Sequence, residues 1–154
     1  MPEYVVGVDG GNSKTDVVVA STAGRLLAAR RGPGVQSPLA DPAGWRDGLA
    51  GQVAQACRDA GVPAARPVAC AVYYLANVDL PAEHRVATRE LAAAGLAAET
   101  VVGNDTLAVL HAGASGPWGI AVVSGAGINA MGRHPSGRTA RFLALGDYTG
   151  DVGG

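Results

Sequence analysis

The stretch Tyr4–Ala20, Y-V-V-G-V-D-G-G-N-S-K-T-D-V-V-V-A, sets two Val-rich runs on either side of a turn. Residues 4–9 and 15–21 read as strands, because β-branched side chains suit a pleated, half-buried surface. The turn between them carries Asp9, Gly10, Gly11, Asn12, Ser13 and Lys14, and Lys14 is the only lysine in the chain. A Walker A loop would place Ser or Thr after its lysine and open directly into a helix. Here Ser13 precedes Lys14 and a strand follows, so that reading fails. The dinucleotide fingerprint G-x-G-x-x-G fails as well, since Asp9 stands two places after Gly7 and no helix follows.

A hairpin of this composition still suits an anion. Gly10 and Gly11 lack a Cβ, so backbone N–H groups can converge on a phosphate. Ser13 and Thr15 offer hydroxyls and Lys14 a positive charge. Asp9 would repel a phosphate unless a cation lay between them, and magnesium suits that place. The other reading is an ordinary tight turn, with glycines for backbone freedom and Asp as a turn former. Both stay open on these residues alone.

Outward from the turn, residues 25–31 make a third strand, completing an antiparallel meander. Pro33, Gly34, Pro38 and Pro42 break the pattern. Asp41-Pro42 then reads as an N-cap with proline at the first helical position. Trp45, Leu49, Val53, Ala56 and Ala60 recur at helical spacing until Gly61 and Pro63. A buried-strand run follows at 67–76, a helix near 82–94 stopped by Gly95, a strand at 99–103, and a helix starting at Asn104-Asp105. The order β-β-β-α-β-α-β-α predicts a mixed sheet with helices on its faces.

The pattern then restarts, with strands at 118–125, 128–133 and 139–145, and a loop G-D-Y-T-G-D-V-G-G at the end. Three strands alone would leave an apolar face exposed. The sequence therefore predicts a domain over 1–115 and the opening meander of a second over 116–154. It is expected to be part of a protein about twice as long, or to be covered by a partner. V-V-S-G-A-G-I-N, Val122–Asn129, is a second glycine turn between the first two strands of its meander, as the first turn is in its own. That repetition says more than either turn alone.

Composition narrows the function. With 154 residues and a net charge of −1, the chain gives no support to nucleic-acid or membrane-surface binding. No apolar run reaches the ~18–20 residues that span a bilayer, and no basic-then-apolar leader is seen. A cytoplasmic location is the expectation. Cys57 and Cys70 have no zinc-like spacing and read as buried free thiols. His111 reads as a packing or surface residue, and His84 and His134 as exposed.

G-V-D-G-G-N-S-K-T-D, then V-G-N-D-T-L-A-V-L-H-A-G, then V-V-S-G-A-G-I-N-A-M-G together resemble the BadF/BadG ATPase family. Within it they are most similar to the N-acetylglucosamine kinases of the acetate/sugar kinase–Hsc70–actin superfamily. The resemblance runs from Tyr4 to the last residue in the same order. It implies an α/β fold: an actin-like, ribonuclease H-like domain with a mixed five-stranded sheet, and the start of a second. It further implies ATP and Mg2+ as cofactors, a small-molecule sugar as substrate, and a homodimer as a compatible assembly.

By the same resemblance Asp9 would help hold magnesium, and Gly10, Gly11, Asn12, Ser13, Lys14 and Thr15 would meet the terminal phosphates. Gly125, Ala126 and Gly127 would form the second phosphate loop. Asp105 would be the catalytic base, and Gln36, Asn104, Asn129 and Asp151 would border the sugar. Taken without the two glycine hairpins, Asn104-Asp105 reads as a helix cap; with them, the base is the favoured reading.

The chain departs from the family pattern in four places. Asn12 replaces a third glycine, Ala126 replaces a threonine, Gln36 falls near an expected asparagine, and no tryptophan precedes G-D-Y-T-G-D. These changes bear on the sugar more than on the reaction class. The iron–sulfur branch of the family would need cysteines near the second loop, far in sequence from Cys57 and Cys70. A sugar- or nucleotide-binding module that has lost transfer is the alternative function.

Overall fold

The computed structural model describes residues 3–64, 66–125, 127–142 and 148. By its internal contacts the chain divides into two compact units, Met1–Gly103 and Asn104–Gly154.

The first unit holds β1 (Tyr4–Gly10), β2 (Lys14–Ser21), β3 (Leu26–Pro33), α1 (Pro42–Asp59), β4 (Val68–Leu75), α2 (Pro81–Ala93) and β5 (Ala97–Asn104). They form the five-stranded sheet β3-β2-β1-β4-β5. Strands β1, β2 and β3 pair antiparallel, while β1 pairs parallel with β4. A parallel pair needs a long crossover, and the meander plus α1 supplies it. The expected mixed sheet is the one observed.

Strand alternation decides the core. Val6, Val8, Val17 and Val19 share a face with their β4 neighbours Ala71 and Tyr73, and all are buried. Leu49, Val53 and Ala56 of α1, with Ala87 and Leu91 of α2, join them in one cluster. Each fully buried Val or Leu contributes about 1.5–3 kcal/mol. The helix ends behave as their residues predict. The Asp41 side chain accepts from Gly44 N at 3.0 Å ahead of Pro42. Glu83 Oε2 accepts from Asp79 N and Leu80 N at the start of α2, both at 2.9 Å. Gly61 and Gly95, at φ +71° and +65°, take the left-handed turns that stop α1 and α2.

The second unit holds α3 (Thr106–Gly113), β6 (Gly119–Ser124), β7 (Ile128–Arg133) and β8 (Thr139–Arg141). The strands form the antiparallel sheet β6-β7-β8. Leu110 of α3 is buried with Ala121 of β6 and Met131 of β7, flanked by Leu107 and Ala114. By packing, α3 therefore belongs with the second meander, whereas the sequence reading put the division after residue 115. Period-two alternation turns Ile120 and Val122 to the other face, where they are 81% and 57% exposed. That is the bare apolar face expected of three strands alone. Strand β8 is shorter than the predicted 139–145, of which 143–145 lie outside the described residues. Among the described residues no helix is long and apolar enough to cross a membrane.

Candidate functional site

The first glycine turn closes between Gly10 and Lys14, with Gly10 paired to Thr15 across the hairpin. Its glycines do different jobs from those their composition suggests. A Cβ on Gly10 would lie 2.5 Å from Leu75 Cδ2 and 3.1 Å from Val35 Cγ2, so glycine is needed here for core packing. The Gly11 N–H donates to Lys14 O at 2.8 Å and is consumed by the hairpin itself. The N–H groups of Asn12 and Ser13 at the tip take no part in these bonds.

Two expected donors are turned elsewhere. Thr15 was read as a phosphate-facing hydroxyl, but it shares the inward face of β2 with Val17 and Val19 and is fully buried. Alternation in a strand that starts at Lys14 forces this, so Thr15 is not a phosphate-facing group. Lys14 Nζ donates to Asp16 Oδ2 at 3.0 Å. The lysine side chain is 51% exposed, and exposed pairs of this kind are worth only about 0.2–1 kcal/mol. Lys14 can therefore leave Asp16 for a stronger anion at small cost.

Two carboxylates face each other across β1 and β2 with opposite electrostatics. Asp16 accepts from Arg31 Nε and Nη2 at 2.6 and 2.9 Å. That bond first, and Lys14 after it, hold its pKa down at about 2. Asp9, its direct cross-strand partner, is pushed above the ordinary carboxylate range. Crowding by protein is the larger cause and the charge of Asp16 adds to it, with Lys14 opposing. A cation beside Asp9 would relieve both effects. Among the described residues no group of three or more His, Cys, Asp or Glu could hold a metal ion. Magnesium at Asp9 would thus draw its other ligands from phosphate and water, as that ion commonly does.

In the second unit the start of α3 divides two duties between neighbours. Asn104, 5% exposed, uses its Oδ1 to accept from Thr106 N at 3.2 Å and Thr106 Oγ1 at 2.6 Å. Asn129 Nδ2 of β7 also approaches that oxygen, at 3.4 Å. Asn104 is therefore the residue that caps the helix. Asp105 already has helical dihedrals, φ −58° and ψ −28°, and its side chain makes no capping bond. Of the two readings of Asn104-Asp105, the cap belongs to Asn104 alone. Asn104 and Asn129, both predicted at the sugar, are brought together and buried.

In the second glycine turn Gly125 N donates to Gly127 O at 2.9 Å. A Cβ on either glycine would meet none of the described residues within 4 Å. Ala126 and Asp151 lie outside the described residues. Gln36 is exposed in the loop after β3, and its carbonyl accepts from Trp45 Nε1 at 3.0 Å. The free thiols Cys57 and Cys70 are both half-buried, and burial raises the pKa of each.

Two residues of this region escaped the sequence reading. Gly34 read only as a loop breaker, yet a Cβ there would fall 2.1 Å from Asn12 O. Asn77 carried no signal at all. It is the only non-glycine at positive φ among the described residues, at +59°, and its Nδ2 donates to Asn12 Oδ1 at 2.5 Å.

No protein-family model matches the chain, and no curated protein sequence matches it significantly. Solved structures do. A provisionally assigned N-acetylglucosamine kinase from Chromobacterium violaceum aligns over 91% of this chain and 48% of its own, with 25% identity and a TM-score of 0.67. A second provisionally assigned N-acetylglucosamine kinase, from Porphyromonas gingivalis, aligns over 92% and 48%, with 21% identity and a TM-score of 0.69. A ROK family glucokinase from Streptomyces griseus, solved with glucose and AMPPNP, aligns over 93% and 49%, with 21% identity and a TM-score of 0.61. The chain thus has the actin-like, ribonuclease H-like fold, and it spans about half the length of the structures it matches.

Proposed function

We propose that the protein to which this chain belongs is an ATP-dependent sugar kinase of the BadF/BadG type, with this chain alone expected to be weakly active or inactive. Its substrate is an amino sugar, N-acetylglucosamine or a cell-wall-derived relative. The observation that carries this reading is the division of labour at the start of α3. Asn104 supplies the cap, and Asp105 follows it at the start of α3, beside the buried Asn104–Asn129 contact. The names of the structural neighbours supply the reaction class.

In this reading a sugar hydroxyl oxygen attacks the terminal phosphorus of ATP, the bond to the ADP oxygen breaks, and Asp105 takes the hydroxyl proton. Phosphoryl transfer has a loose transition state, so the protein mainly positions groups and balances charge. The amides of Asn12 and Ser13, with Lys14 released from Asp16, hold the terminal phosphates, and Gly125, Ala126 and Gly127 hold them from the second turn. Asn104, Asn129, Gln36 and Asp151 orient the sugar. Magnesium held at Asp9, when bound, offsets phosphate charge.

The test is ADP release with ATP, magnesium and a panel of amino sugars. Asp105→Asn is expected to lower kcat by about 10²–10⁴-fold and to leave sugar affinity unchanged. Undiminished turnover in that variant would overturn the base assignment. The inward Thr15, which removes one expected phosphate contact, favours a second reading, a non-catalytic sugar- or nucleotide-binding module. Saturable sugar binding with no ADP release from any sugar would select it.

A further inference from the structure

Three segments of the first unit converge beside the first glycine turn, and one side chain joins them. Ala76 N donates to Gly10 O at 2.8 Å, and Val35 N donates to Gly11 O at 2.9 Å. The turn is thus backed on one side by the segment after β4 and on the other by the loop after β3. Asn77 sits where these meet. Its Nδ2 donates to Asn12 Oδ1 at 2.5 Å and reaches Val35 O at 3.4 Å. To do so its backbone takes φ +59°, a conformation that costs an L-residue energy and is kept where the surroundings over-determine it. Gly34 permits the closeness, since any Cβ there would strike Asn12 O.

We propose that Asn77 is a positioning residue that latches the glycine turn to the loop carrying Gln36. Asn12, where the resembling kinases have glycine, is then one half of a two-residue device, and Asn77 is the other. The consequence is coupling. An anion on the Asn12 and Ser13 amides moves the turn, Asn77 passes that shift to Val35, and the next residue is Gln36. The Gln36 carbonyl is in turn held by Trp45 Nε1 at 3.0 Å, so Trp45 is a built-in reporter of the loop. The latch itself stands on geometry, while its role in ATP binding rests on the kinase reading.

Asn77→Gly keeps the positive φ and deletes the carboxamide, and because glycine also adds backbone freedom, its comparison with Asn77→Asp is the decisive one. The first arm is amide hydrogen exchange at Gly11 and Val35 in the unliganded chain. Exchange in Asn77→Gly is expected to be about three- to tenfold faster, the worth of one hydrogen bond. Asn77→Asp is expected to recover part of the protection, because a flipped Asn12 carboxamide can donate to it. Unchanged exchange at both amides in Asn77→Gly would overturn the latch.

The second arm follows Trp45 fluorescence in a Trp118→Phe background during titration with ATP and magnesium. The parent should show a saturable change, and Asn77→Gly should lose it while half-saturation rises about three- to tenfold. In the kinase assay the same variant should raise the KM for ATP more than it lowers kcat. If ATP binds and the Trp45 response survives in Asn77→Gly, the coupling is refuted. If the full-length protein binds no ATP, the kinase reading of the site fails, and the exchange arm still decides the latch.

Discussion

The two glycine hairpins occupy matching places in their meanders, but they carry very different loads. The first is pressed from behind: Gly10 lies on Leu75 and Val35, and Gly34 lies against the carbonyl of Asn12. In the second, no described residue lies within 4 Å of a Cβ on Gly125 or Gly127. Similar composition thus need not share one physical cause. In the first turn glycine is required because protein fills the space where a side chain would go. In the second no described residue fills that space, so packing among the described residues gives no reason for glycine.

Substitution to alanine can break this contrast, and the largest effect is expected at Gly34. There the added methyl meets backbone, which cannot rotate away, and a loss of about 3 kcal/mol is expected from overpacking. Gly10→Ala meets the end of the buried Leu75 side chain, which can shift in part, and about 2 kcal/mol is expected. Urea midpoints of the two variants measure both. Equal and negligible losses would mean that the turn is no more tightly held than its counterpart.

Most of the fold was legible because its signals are local. The Val runs of β1 and β2, the Asp41-Pro42 start of α1 and the stops at Gly61 and Gly95 each lie within a few residues of the feature they fix. For the candidate site the sequence named residues, and what the structure adds is how some of them are oriented. Thr15 could have been placed by counting back in twos from Val17, since alternation puts both on the inner face. The choice between Asn104 and Asp105 as cap could not, because both residue types cap well and only the helical dihedrals of Asp105 decide it. The grouping of α3 with the second sheet was hidden too, as an apolar helix face does not say which sheet it will meet. Asn77 was out of reach, for its partner Asn12 lies 65 residues away and neither residue belongs to a periodic pattern.

The cross-strand pair Asp9 and Asp16 offers a smaller test, through pH, of the electrostatics behind the first turn. Asp16 titrates at about 2 in the fold against an ordinary 3.8. Its depressed value adds stability that is present above the unfolded pKa and lost as pH falls from there toward about 2. Asp16→Asn should therefore flatten the acid limb of the stability curve across that window. Asp9 is shifted the other way, so its contribution is present at low pH and lost as pH rises through its raised pKa. With chelator present, Asp9→Asn should stabilise the protein at neutral pH. Denaturation midpoints measured from neutral pH downward separate the two. Parallel curves for both variants would mean that Asp9 is not the strained member of the pair.

The smallest effect on stability is expected at Gly125, and it sharpens the comparison most. Gly125→Ala adds a methyl that meets none of the described residues within 4 Å, at a residue without a positive φ. Neither overpacking nor backbone strain therefore applies, and the urea midpoint should move by no more than about 0.5 kcal/mol, as for surface positions generally. If the second turn is a phosphate loop, the same methyl sits where the phosphate must approach, and the KM for ATP should rise without loss of fold. A stability loss comparable to that of Gly10→Ala would show that the second turn is held by packing after all. A neutral midpoint with an unchanged KM would remove it from the phosphate site. Either result turns on the same property, whether the space beside the glycine belongs to the protein or to the ligand.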